Sequence, residues 1–140
     1  MARKHGKFMR TLSIVAALSI FVFSPSAHAE LLGKEWINET EMKKQSQFAR
    51  KHGLLLVDLD CRFRKDADNP GRKDVIFRAD FEQPPSPVGW GWTFDANAPN
   101  LAAEQQALNA GFEMVSEDYF EISGVTWVRC KVWHHGGAAQ

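Results

Sequence analysis

Two stretches of the chain gather side chains suited to binding: Gly89-Trp90-Gly91-Trp92, and Trp127-Val128-Arg129-Cys130-Lys131-Val132-Trp133. Successive side chains of a strand point to opposite faces, so Trp127, Arg129, Lys131 and Trp133 share one face and Val128, Cys130 and Val132 the other. The same period puts Trp90, Trp92 and Phe94 together. A sheet face with two tryptophans, an arginine and a lysine could stack on sugar rings or anchor a protein partner, because Trp and Arg dominate interface hot spots. The glycines flanking Trp90 and Trp92 would let a ligand or a backbone come close. Trp90, Trp92, Trp127, Arg129 and Trp133 are therefore the predicted binding residues. The structural alternative is that these rings seal the second face of the sheet, and alternation with charged residues favours exposure of Trp127 and Trp133 over Trp92.

Catalytic chemistry has weaker support. Asp58, Asp60, Glu117, Asp118 and Glu121 could supply a carboxylate pair for acid-base hydrolysis if two of them converged to about 5 to 10 Å. Acids in such number are ordinary at strand ends. Ser116 and Ser123 lack an evident general base, and no H-E-x-x-H, C-x-x-C, G-x-S-x-G or S-x-x-K pattern follows residue 29. His134 and His135 are adjacent, and neighbouring strand side chains diverge, so no shared metal site is expected. No catalytic residue, metal or cofactor is assigned.

The elements that must position these residues begin after an export address. Arg3, Lys4, Lys7 and Arg10 precede an apolar run from Leu12 to Phe23, and Ala27-His28-Ala29 supplies small residues at a cleavage site. Residues 1–29 are expected to be a signal peptide, with the protein periplasmic or secreted. The run is too short to span a hydrocarbon core of about 30 Å, so no membrane insertion is expected after cleavage. Four of the seventeen Lys and Arg and none of the seventeen acids lie in that segment, leaving thirteen bases against seventeen acids, a formal charge of −4. Such a balance offers no basic footprint for nucleic acid. The only two cysteines, Cys61 and Cys130, would meet an oxidising compartment and are expected to bond. Buried free thiols are the alternative.

Laid on itself, the chain aligns Trp36 to Gly53 with Trp92 to Gly111, and the strand from Gly53 to Asp60 with Gly111 to Asp118. Each half reads as a strand, a helix, a glycine stop and a hairpin. Asn38 is placed to cap the first helix with Glu41 three residues on, and Gly53 to end it. Pro99 is expected in the first turn of the second helix, with Gly111 as its terminator. Val75, Phe77, Ala79 and Phe81 form one core face, Leu55, Val57, Leu59 and Cys61 another, and Val128, Cys130 and Val132 a third. Arg64 to Lys73 reads as a long charged hairpin tip and Pro84-Pro85-Ser86-Pro87 as a rigid turn. The expected fold is α+β: residues 30–140 form a single domain of two pseudo-symmetric β-α-β-β units, about 31–81 and 88–133. The sheet is mainly antiparallel with two helices packed on one face, and 134–140 is a loose tail.

The run Ala110-Gly111-Phe112-Glu113-Met114-Val115, with Tyr119, Gly124 and the closing strand Trp127 to Trp133, resembles one copy of the bacterial tandem-repeat, or polyglycine hydrolase-like, structural repeat. The region from Phe48 to Phe81, followed by Trp90 and Trp92, resembles a degenerate second copy. It departs from the pattern in carrying Cys61 at an aromatic position and a longer charged hairpin loop. The resemblance implies a secreted, non-catalytic repeat that accompanies hydrolases or serves in recognition, and it carries no catalytic residue onto this chain. Together these readings point to a small exported binding module for an envelope protein or glycan ligand, possessing an inhibitor-like or partner role. The alternative is a cell-envelope hydrolase using the strand-end carboxylates.

Overall fold

The computed structural model describes residues 32–65 and 73–136. The expected signal peptide over 1–29, the tip of the charged hairpin over 66–72 and the last four residues lie outside that range. The elements run β1 (Ile37–Asn38), α1 (Glu39–Lys51), β2 (Leu55–Lys65), β3 (Lys73–Glu82), β4 (Trp90–Ala96), α2 (Leu101–Asn109), β5 (Phe112–Ser123) and β6 (Thr126–His135). The fold is α+β, and its strands make two three-stranded antiparallel sheets, ordered β1-β3-β2 and β4-β6-β5.

Helix α1 follows its sequence signals. Asn38 Oδ1 accepts the Glu41 amide at 2.8 Å, satisfying one of the free donors of the first turn. Met42, Ser46 and Ala49, spaced four and three apart, are its buried residues. Gly53 takes the left-handed conformation at φ 68°, and Leu54 N–H closes back onto the Ala49 carbonyl at 2.8 Å. Helix α2 is built differently. Its cap is Asn100, whose Oδ1 accepts the Ala103 amide at 3.3 Å, so Pro99 precedes the helix and does not sit in its first turn. None of its residues is buried. The two halves thus share a strand order but not a way of docking their helices.

Strand alternation places the core as expected on β3 and β6, where Phe77, Ala79, Phe81, Val128, Cys130 and Val132 are all buried, although Val75 is only half-buried and Ile76, of the other parity, is buried as well. On β2 it does not. The register with β3 shifts between Leu56 and Asp58, and this bulge turns Leu54 and Leu56 inward before it and Leu59 and Cys61 inward after it, leaving Leu55 and Val57 half-buried. The buried faces of the two sheets meet in one cluster. Phe77 lies with ring centroids 5.2 Å from Trp92 and 5.1 Å from Phe94, and Phe81 lies 5.9 Å from Trp90.

Covalent and polar links fasten β2 and the Leu54 before it to the other sheet. Cys61 and Cys130 are bonded, their α-carbons 6.1 Å apart, within the span a disulfide bridges. The His134 ring meets the Leu56 carbonyl at 2.7 Å, and the Trp90 indole N–H donates to the Leu54 carbonyl at 2.8 Å. Beside them β2 and β5 run in the same direction without a shared ladder. Their seam is held by side chains: the Ser116 hydroxyl bonds the Asp58 carboxylate, and Asp118 Oδ2 accepts the Cys61 amide at 2.9 Å.

Two boundaries move. His134 and His135 belong to β6 and not to a loose tail, because His134 registers with Trp90 and Glu113 and the His135 amide donates to the Gly89 carbonyl at 2.7 Å. Arg64, Lys65 and Lys73 are strand residues, since the β2–β3 ladder continues through Arg64 opposite Asp74 and Lys65 opposite Lys73. No helix among the described residues is long and apolar enough to cross a membrane.

Candidate functional site

The β5–β6 hairpin carries the surface that best matches the predicted chemistry. Cross-strand register sets Tyr119 opposite Arg129 and Glu121 opposite Trp127, on the face away from Val128 and Cys130. The rings of Tyr119 and Trp127 lie 6.1 Å apart at 34°, and the Arg129 guanidinium lies 5.7 Å from the Trp127 ring. Tyr119 is half exposed and Trp127 partly so, giving a short aromatic platform open to solvent. Its edges are pinned. The Trp127 amide donates to Asn97 Oδ1 at 3.0 Å, and Asn97 holds a left-handed turn at φ 63° just past β4.

Arg129 is locked by β4 and α2. Its Nη2 donates to Asp95 Oδ2 at 2.7 Å and approaches Glu104 at 3.7 Å. The hydrogen bond to the buried Asp95 carboxylate raises the guanidinium above its ordinary pKa. Arg129 Nε is buried and finds no acceptor among the described residues. Lys131 is buried and ion-paired to Glu104, with Glu117 at 3.6 Å, so its charge is consumed within the protein. Glu104 therefore clamps α2 onto this face of the sheet through charge where α2 lacks a buried apolar stripe.

The other predicted binding residues go elsewhere. Trp133 lies on the same strand face as Trp127 but is buried, on the central strand between Gly91 and Met114, with its indole N–H donating to Thr93 Oγ1 at 2.9 Å. Trp90 is buried against Phe81 and bonded to Leu54, and Trp92 is half-buried with its N–H on Ser46 Oγ at 2.9 Å. Trp90 and Trp133 are core rings, and Trp92 is anchored to α1 while its remaining surface borders a cavity with Glu39, Lys43 and Asn100. Their indole donors are all taken by partners within the protein, and on β6 the neighbours Gly91 and Met114 cover Trp133 while Trp127 further along the same face stays partly open.

Of the strand-end acids, Asp58 and Asp60 come together. With Lys34, Arg78 and Asp80 they line a cleft of about 410 Å³ on the first sheet. Asp60 is ion-paired to Arg78 at 2.6 Å and Asp58 is held by Ser116, so both carboxylates already have partners. Asp118 is spent on the Cys61 amide and Glu121 accepts the Tyr119 hydroxyl at 2.9 Å. Trp36 is approached by two guanidiniums, with Arg62 at 3.9 Å and the cleft residue Arg78 at 5.0 Å from its ring.

Three contributors escape a reading of single strands: Tyr119, Asp95 and Trp36. Tyr119 could be found by folding the chain about Gly124, which brings it opposite Arg129. Asp95 and Trp36 required the β4–β6 and β1–β3 pairings, which span long separations. Comparison with known protein families, with curated proteins and with solved structures finds no match, so the site rests on its own geometry.

Proposed function

We propose that this chain is a small exported binding module, periplasmic or secreted, whose Tyr119–Trp127–Arg129 platform takes an envelope protein or glycan ligand. The observation that carries the reading is the open aromatic pair beside a guanidinium already fixed by Asp95. Holding these groups in place before contact lowers the ordering cost of binding, and partly exposed Trp and Tyr with Arg match the composition of binding hot spots. The sequence resemblance to a non-catalytic secreted repeat agrees with this direction. The hydrolase alternative has the Asp58–Asp60–Asp80 cleft in its favour, but Arg78 and Ser116 occupy two of those carboxylates.

The test is retention of a partner from envelope extract, and of immobilised cell-wall glycan, by wild type and by a Tyr119→Ala, Trp127→Ala double variant. Far-ultraviolet circular dichroism and the urea midpoint check the fold. Trp133 stays untouched because it is core. The expected result is retention by wild type and a loss of affinity of at least about ten-fold in the folded variant. Equal retention by both proteins removes the platform from function.

A further inference from the structure

Arg50, in the last turn of α1, stands in an environment different from that of Arg129. Its guanidinium lies 4.3 Å from the centroid of the Trp90 ring, and Nη2 donates to the Trp90 carbonyl at 3.3 Å. No carboxylate among the described residues pairs with it. Arg50 is exposed at the rim of α1, and the partial desolvation of its guanidinium against the indole draws its pKa below the ordinary arginine value, with no acid offsetting that cost. The group nevertheless stays charged at any physiological pH.

The stacked guanidinium borders a groove of about 320 Å³ between the end of α1, the turn before β4 and the start of β5. Leu54, Val88, Trp90 and Phe112 supply its apolar walls. That volume is at the lower end of small-ligand sites, and the combination of apolar lining with one fixed polar group is characteristic of them. The guanidinium has several donors beyond the one spent on Trp90, in a planar fork that matches a carboxylate. Stacking on the indole already restricts its swing, so little further ordering is needed to receive a ligand.

We propose that this groove binds a small amphipathic carboxylate, its anionic end on Arg50 and its alkyl or aryl body against Leu54, Val88 and Phe112. A bare inorganic anion would leave those walls in water. A neutral apolar molecule would leave the guanidinium further desolvated and still unpaired. The site is separate from the aromatic platform, since Trp90 registers with His134 at the opposite end of β6 from Trp127.

The experiment is calorimetric titration of the purified protein with 4-phenylbutyrate and with decanoate, set against 4-phenylbutanol as the uncharged control. Tryptophan fluorescence follows the same titrations. At least one acid is expected to bind, with the alcohol at least about ten-fold weaker, as a lost charge-assisted hydrogen bond implies. Arg50→Gln should weaken the acid by a similar factor, and Val88→Asp should do so by repulsion without touching Arg50. Trp127→Ala should leave the affinity unchanged, which separates this groove from the platform. Arg50→Lys, expected to retain part of the affinity, covers the case in which Arg50→Gln fails to fold. Binding by neither acid, equal binding of the alcohol, or unchanged affinity in folded Arg50→Gln overturns the proposal.

Discussion

Reduction of the Cys61–Cys130 bond should cost this fold a large part of its stability. The bridge closes a separation of 69 residues, for which the chain-entropy treatment gives about 4 kcal/mol at 25 °C. A domain of this size commonly has about 5–15 kcal/mol in total. In the native state both sulfurs are buried, with Cys130 Sγ 3.1 Å from the Leu59 carbonyl and Cys61 Sγ 3.8 Å from that of Asp118, so each thiol would have an acceptor nearby, while the crowding of two separated sulfurs in the core adds to the loss. The figure of about 4 kcal/mol counts only the unfolded chain, which gains the freedom that the cross-link denied it. Urea unfolding with and without a phosphine reductant, followed by tryptophan fluorescence, measures the difference, and the mass gain of two hydrogens confirms reduction. At about 4–8 °C per kcal/mol, the thermal midpoint should fall by about 15–30 °C. A loss below about 1 kcal/mol would refute the reasoning, since it would mean that the reduced unfolded chain is already as confined as the cross-linked one.

Gly33→Ala should destabilise the protein by about 2 kcal/mol or more, because a Cβ there would meet the Ala79 carbonyl oxygen at 2.0 Å and φ is 78°, a conformation costly to any other residue. Gly91→Ala is the control: its Cβ would meet nothing within 4 Å, so urea midpoints should show a change of about 0.5 kcal/mol or less, towards greater stability. Tyr119 is the chain's single tyrosine, so phenolate absorbance reports it alone, and its hydrogen bond to Glu121 should place the midpoint above the usual value of 10. Since the folded pKa is raised, the associated stabilisation is present below the unfolded pKa and is lost as pH climbs through the folded one; Glu121→Gln should bring the midpoint down, and an unmoved midpoint would remove that hydrogen bond from solution.

Much of the scaffold was legible because it depends on local rules. Asn38 and Glu41 announce the start of α1, Gly53 its end, and the buried faces of β3 and β6 follow from a period of two. The bulge at Val57 was not legible, since strict alternation carries no mark of an inserted residue and Leu54 to Leu59 is apolar enough to satisfy either register. Trp133 and Trp127 have the same parity on the same strand, and only the neighbours on β4 and β5 decide that one is covered and the other open. The disulfide was expected from the count of two cysteines together with an expected export. The Arg50 groove did not, because it joins a helix end, a turn and a strand start that are distant in sequence, and nothing local marks an arginine that lacks an acid.

The seam between β2 and β5 has a consequence for how the protein behaves at high concentration. Both strands are edges of their sheets, and a long edge ordinarily offers its unpaired amides to any passing strand. Here Asp118 fills one of those amides with its own carboxylate and Asp58 is tied to Ser116, so each edge is stoppered by the other with charged groups that reject an added β-ladder. With the β2 and β5 margins turned towards one another in this way, the edge positions around Cys61 and Asp118 are closed to an added strand from a further copy.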